Sequence, residues 1–181
     1  FEQQDKEYIA NTYGRFNVCF EKGKGSLLWD VEGKEYIDLG SGIGVTAFGV
    51  DDDEWSKAVI AQTHALNHIS NLYYSVPQIK LAELLCKQTG MKKVFFCNSG
   101  AESNECAIKA ARKYSHDKYG DGRNVIVTLV NSFHGRTVTT LSATGQDVFH
   151  QHFFPFTEGF VHTPANDIDA ALKVLANPAV C

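Results

Sequence analysis

The sequence predicts an α/β fold in which an N-terminal antiparallel segment leads into a mostly parallel alternation of strands and helices. Three observations carry this. Short apolar runs between Phe16 and Leu39 are separated by turn residues, apolar residues from Trp55 onward recur at steps of three and four, and strand-like runs alternate with a long helical pattern from Val94. The 181 residues, 44% hydrophobic and 21% charged, suffice for a sizeable core. With 21 acidic against 17 basic residues, the net charge of −4 is spread along the chain, and no basic stripe is available to a nucleic-acid backbone. No run is long and apolar enough to span a membrane, and the first 15 residues lack the apolar middle of a secretory signal, so the expected location is cytoplasmic. Five cysteines (Cys19, Cys86, Cys97, Cys106, Cys181) are odd in number and form no C-x-x-C pair, which argues against a disulfide framework or zinc knuckle. They are expected to be mostly small buried hydrophobes.

Taken in order, Phe16 to Phe20, Leu27 to Val31 and Lys34 to Leu39 read as a small antiparallel meander, with Glu32-Gly33 turning between the last two. After the glycine-rich stretch Gly40 to Gly44, Trp55, Val59, Gln62, Leu66 and Ile69 predict an amphipathic helix of about four turns. Pro77 suits a first helical position, and Leu81, Leu84 and Leu85 continue a second helix to a stop at Gly90. Val94 to Cys97 reads as a buried strand, residues 101 to 118 as a helix and Asn124 to Val130 as a β-branched strand, together a parallel βαβ unit. The helix places Ala107, Ile108, Ala111 and Tyr114 on an inner face, with Lys109, Arg112 and Lys113 away from it. Ile168 to Leu175 begins a further helix.

The chemistry concentrates in two stretches. In Cys97-Asn98-Ser99-Gly100-Ala101-Glu102 a strand turns straight into a helix, Ser99 and Glu102 have capping-box spacing, and Gly100 and Ala101 carry no bulk to shield their N–H groups. A phosphate fits such a turn, and so does nothing more than a well-capped helix; both readings stay open. No Lys-Ser or Lys-Thr follows the glycine, which excludes a nucleoside-triphosphate P-loop. The second stretch, Asn131 to Thr137, leaves the C-terminal end of a strand, where open α/β sheets bind ligands. Phe133 can lie on an aromatic ring and Arg136 has the fork that grips a carboxylate, although a lone Phe is more often core and a lone Arg more often a solvated charge. Gly42-Ile43-Gly44-Val45-Thr46-Ala47 matches a loose dinucleotide fingerprint, but no helix opens from it inside a βαβ unit. His64 and His68 have the spacing of one helix face without a third ligand, so no metal site is expected, and His150 and His152 read as packing or surface groups.

Together these stretches resemble the class III aminotransferases, most closely the acetylornithine aminotransferases. The likeness runs through Gly25 to Asp30, Gly33 to Asp38, Ser41 to Val45, Asn71 to Tyr73, Asn98 to Asn104, Ala107 to Arg112, Ser132 to Thr137 and Leu141 to Gly145. It departs at Val50 to Glu54, an acidic run where the family usually has a His-rich turn. The resemblance implies a type I pyridoxal-phosphate transferase fold, incomplete here. Residues 1–50 would be the N-terminal segment of the small domain, and 51–181 the first part of the large cofactor-binding domain. It implies pyridoxal 5′-phosphate as cofactor, with Ser99, Gly100 and Ala101 at its phosphate, Phe133 stacked on its ring and Arg136 on a substrate carboxylate. The implied reaction moves an amino group between N-acetylornithine, or a related ω-amino donor, and 2-oxoglutarate in arginine biosynthesis, in a homodimer. Ornithine, succinylornithine or 4-aminobutyrate aminotransferases share much of the pattern. The Schiff-base lysine of the family would lie beyond Cys181, with no catalytic residue in this chain and no activity expected of it alone; a non-catalytic phosphate-binding or dimerisation remnant is the rival reading.

Overall fold

A computed structural model describes residues 1–181, which divide into two compact units, Phe1–Val76 and Pro77–Cys181. In the first, helix α1 (Glu2–Tyr8) precedes a three-stranded antiparallel meander of β1 (Phe20–Lys24), β2 (Leu27–Asp30) and β3 (Glu35–Ile37). The meander is where the sequence places it, but its first strand begins at Phe20 rather than ending there. Lys24 pairs with Leu27 across the tight Gly25-Ser26 turn, and the register runs back to Lys22 opposite Trp29 and then, across an irregularity at Glu21, to Phe20 opposite Asp30. Gly25 takes the positive φ (58°) this hairpin needs.

Asp30 closes the following turn. Its buried carboxylate accepts from Glu32 N (3.0 Å), Lys34 N (2.9 Å) and Tyr36 Oη (2.8 Å). Burial pushes this carboxyl up, but the Lys34 N–H, the Tyr36 hydroxyl and the Glu32 N–H together hold it below the ordinary value. The glycine-rich stretch makes one irregular turn, α2 (Ser41–Gly44), with left-handed dihedrals at Gly42 and Ile43. Helix α3 (Asp53–Leu66) starts where the Asp52 side chain accepts from Trp55 N at 2.8 Å. It ends three residues short of the expected Ile69, so His68 lies past the Asn67 cap and does not share a helix face with His64.

The second unit opens with most of α4 (Val76–Thr89), followed by α5 (Gly100–Tyr119), β4 (Ile126–Leu129), α6 (Val138–Ala143), a 3₁₀ turn (Asp147–Phe149), β5 (Phe160–Thr163) and α7 (Ile168–Leu175). Strands β4 and β5 pair in parallel, Ile126 opposite Phe160 through Leu129 opposite Thr163. On the other edge of β4, Val125 bridges Val180. The parallel unit that forms is therefore β4–α6–β5. Val94 to Cys97 joins no sheet, and Phe95 is 61% exposed. A strand needs a ladder partner for its N–H and C=O groups, and no residue of this stretch pairs with one.

Three side chains of α5 depart from the expected faces. Ile108, Ala111 and Ser115, spaced by three and four, make the covered stripe, while Ala107 is exposed and Tyr114 is 60% exposed. Arg112 turns inward. Its Nε donates to Asn124 O (3.0 Å), its Nη2 to Glu158 O (3.0 Å), and the guanidinium lies 5.2 Å from the Phe160 ring centroid. The core of this unit is small and rich in hydroxyls: Ile108, Leu141 and Ala143 lie beside buried Ser115, Thr140, Ser142, Thr144 and Thr163. All five cysteines are free thiols and none is fully buried, contrary to expectation; Cys97 is exposed. No helix is long and apolar enough to cross a membrane.

Candidate functional site

The start of α5 is built by its own first residues. Ser99, extended at φ −155° and ψ 159°, caps the helix by accepting from Glu102 N (3.2 Å). The Glu102 carboxylate reaches back to accept from Asn98 N (2.8 Å), Asn98 Nδ2 (3.2 Å) and the Ser99 hydroxyl (3.0 Å). The capping box expected from Ser99 and Glu102 therefore closes one residue further back, through Asn98. These bonds, from the Asn98 carboxamide first and the Ser99 hydroxyl next, hold the Glu102 carboxyl below its ordinary value. The N–H groups of Gly100 and Ala101 have no acceptor within the chain, and a Cβ added at Gly100 would meet nothing within 4 Å. Two bare donors thus stand at the positive end of a 20-residue helix, a geometry able to receive an anion.

The loop after β4 is laid against this helix start. Asn104 Nδ2 donates to His134 O at 2.8 Å, and the Thr137 hydroxyl donates to Glu105 Oε1 at 2.5 Å. His134 N donates to Thr144 Oγ1 (3.0 Å), and Thr137 caps α6 in a reciprocal box with Thr140. The structure thus brings the two predicted stretches together. Phe133, 54% exposed, is not core; its ring meets Phe149 edge-on at 5.7 Å. The Arg136 guanidinium stands over both rings, 5.9 Å from Phe133 and 5.5 Å from Phe149. Stacking uses the face of the guanidinium, whereas carboxylate recognition uses N–H groups in its plane, so the two are compatible. Beside it Arg136, Val138, Leu141, Phe149, Phe153 and Phe154 line a cavity of about 280 Å³.

Asn104, Glu105, Thr137 and Thr144 were not singled out from the sequence as site residues. The run of hydroxyls at Thr137, Thr140 and Thr144, at helical spacing directly after the Arg136 loop, is the signal that marks Thr137 and Thr144; nothing local marks Asn104 and Glu105. Lys109 and Lys113 on α5 are exposed, Lys113 paired with Asp117 at 2.7 Å.

Fold and site define an α/β protein with two unengaged N–H groups at a helix start and an aromatic–arginine loop held against it. The class-III aminotransferase family model matches residues 8–177, and the chain belongs to that family, which uses pyridoxal phosphate. It is 56% identical over 180 residues to the acetylornithine aminotransferase of Haemophilus ducreyi, covering 99% of this chain and 46% of that protein. Against the acetylornithine aminotransferase of Wolinella succinogenes it is 48% identical over 176 residues, covering 96% and 44%. Among solved structures, the ornithine aminotransferase of Toxoplasma gondii superposes with a TM-score of 0.94 at 27% identity, over 99% of this chain and 43% of that one. A Bacillus anthracis aminotransferase superposes at 0.83 with 32% identity, over 91% and 38%. The chain thus spans less than half the length of these relatives, and the expected aminotransferase fold, in partial form, is borne out.

Proposed function

We propose that this chain carries the phosphate cradle and the substrate-carboxylate arginine of an aminotransferase that moves an amino group between N-acetylornithine and 2-oxoglutarate. The observation that supports it most is the pair of unengaged N–H groups at Gly100 and Ala101, with the exposed Phe133 ring on a loop tied to the same helix. These residues fit a phosphorylated aromatic cofactor: two donors for the phosphate, space in front of Gly100, and an aromatic face for a heterocycle. Pyridoxal phosphate, when bound, supplies the electron sink for the reacting carbon. The chain's own residues bind and orient. Gly100 and Ala101 donate to the phosphate, Ser99 shapes the turn while its proton is held by Glu102, Phe133 covers one face of the ring, and Arg136 holds a carboxylate in the plane of its guanidinium.

The choice of N-acetylornithine follows the relatives' names, with ornithine, succinylornithine and 4-aminobutyrate as the competing donors. On this reading the lysine that bonds the cofactor comes from outside these residues, the 181 residues alone do not transaminate, and the active assembly is a homodimer. Pyridoxamine 5′-phosphate, which needs no such lysine, tests the site by fluorescence titration of the 181-residue chain, with pyridoxamine as the unphosphorylated control. Tighter binding of the phosphorylated form is expected; equal binding would overturn the cradle. Glutamate formed from N-acetylornithine and 2-oxoglutarate by the chain alone would overturn the claim that it lacks the lysine.

A further inference from the structure

We propose that Glu105, assisted by Asn104, is a positioning residue that fixes the Phe133–Arg136 loop against the phosphate cradle. This rests on the reading of Gly100, Ala101, Phe133 and Arg136 given above.

The argument is one of proton counting. Thr137 Oγ1 lies 2.5 Å from Glu105 Oε1 and 2.6 Å from Thr140 Oγ1, and it also accepts from Thr140 N at 3.2 Å. A carboxylate has no proton to give, so the single Thr137 proton goes to Glu105. The Thr140 hydroxyl must then donate to Thr137, while Thr140 Oγ1 accepts from Thr137 N at 3.1 Å. Thr140 is fully buried, so its own hydroxyl has no water to turn to. Glu105 thereby orders both hydroxyls and, through them, the start of α6. With Glu105 truncated, the Thr137 proton is free to turn toward Thr140, and the loop loses its tie to α5 at Thr137.

The other end of the loop is held by a separate bond, Asn104 Nδ2 to His134 O. Arg136 sits between the two anchors. Both anchors are on the helix whose first residues form the cradle; at 1.5 Å rise per residue, Glu105 stands about 6 Å along the axis from Ala101. One rigid element therefore sets the spacing between the phosphate donors and the ring and carboxylate partners.

The test uses the 181-residue chain and four variants, Glu105→Ala, Glu105→Gln, Thr137→Val and Thr137→Ser, with two readouts. The first is amide hydrogen exchange at His134 and Thr137 in the chain without ligand. Faster exchange at both is expected in Glu105→Ala and Thr137→Val, with near-wild-type rates in Glu105→Gln and Thr137→Ser, which keep an acceptor and a hydroxyl. The second is fluorescence titration with pyridoxamine 5′-phosphate and with pyridoxamine. Glu105→Ala should weaken both by roughly tenfold, the order expected for one hydrogen bond to a charged group, because the ring side of the site is what shifts. Unchanged exchange, unchanged affinities, or failure of Glu105→Gln to restore the wild-type values overturns the proposal. Should Glu105→Ala also lose protection across β4, the Thr137 pair decides it. If the wild-type chain binds neither probe, the reading of the site falls, while the exchange rates still decide whether Glu105 holds the loop.

Discussion

The Cβ that Gly135 lacks would stand 2.7 Å from the Cβ of Ala101 and 2.6 Å from Thr140 Oγ1, so the loop backbone and the start of α5 touch with no room for a side chain between them. Gly135 also has φ +134°, a conformation that L side chains rarely adopt. Gly135→Ala should therefore destabilise the chain by about 1–3 kcal/mol and push the loop off the helix. A urea midpoint equal to wild type would show that the contact is soft.

Gly100→Pro separates donor chemistry from helix stability. Ser99 is already extended, as a residue before proline must be, and the first helical position tolerates proline because its N–H has no helical partner. The thermal midpoint should hold. Affinity for pyridoxamine 5′-phosphate should fall by about 10- to 100-fold, the loss of one charged hydrogen bond, while pyridoxamine binding stays the same. Equal losses for both probes would place the phosphate elsewhere.

Arg136→Ala should weaken 2-oxoglutarate binding to the chain loaded with pyridoxamine 5′-phosphate by about 1.5–3 kcal/mol in calorimetry. Arg136→Lys should restore only part of this, since an ammonium has no planar fork and stacks poorly over Phe133 and Phe149. An unchanged constant would remove Arg136 from the site.

Thr144 is fully buried. Its hydroxyl donates to Thr140 O at 2.9 Å and accepts from His134 N at 3.0 Å. Thr144→Val keeps the shape but strands the His134 N–H, and should cost about 1–3 kcal/mol in chemical denaturation. A neutral result would mean that the loop finds another acceptor.

The acid limb of stability should carry the mark of Glu102. Asn98 and Ser99 hold its carboxyl below the ordinary value in the folded chain, so folding favours the ionised form. That contribution is complete above the unfolded-state value and is lost as pH falls through the depressed folded value. Glu102→Gln should therefore lower the thermal midpoint at pH 7, and the gap to wild type should close on acidification below the usual glutamate range. A gap independent of pH would assign the loss to shape rather than charge.

The limits of reading this chain from sequence lie in particular residues. The helices from Asp53, Val76, Gly100 and Ile168 follow from periodicity and caps, and Ser99 with Glu102 marks the capped start of α5 directly. The strand expected at Val94–Cys97 fails because apolar, β-branched composition fixes a preference but not a partner. Arg112 was misplaced for a related reason: periodicity gives the angle at which a long side chain leaves the helix, not the carbonyls it bends back to reach. The Glu105–Thr137 and Asn104–His134 bonds join residues distant in sequence, and local patterning carries no information about them.

Arg112 fastens the sheet at the end where both strands begin, reaching the carbonyls of Asn124 and Glu158, while the Phe133–Arg136 loop departs from the opposite end of β4. Slippage of one strand past the other is resisted away from the end that carries the Phe133–Arg136 loop. Substitutions in the loop can therefore accumulate without loosening the scaffold beneath it.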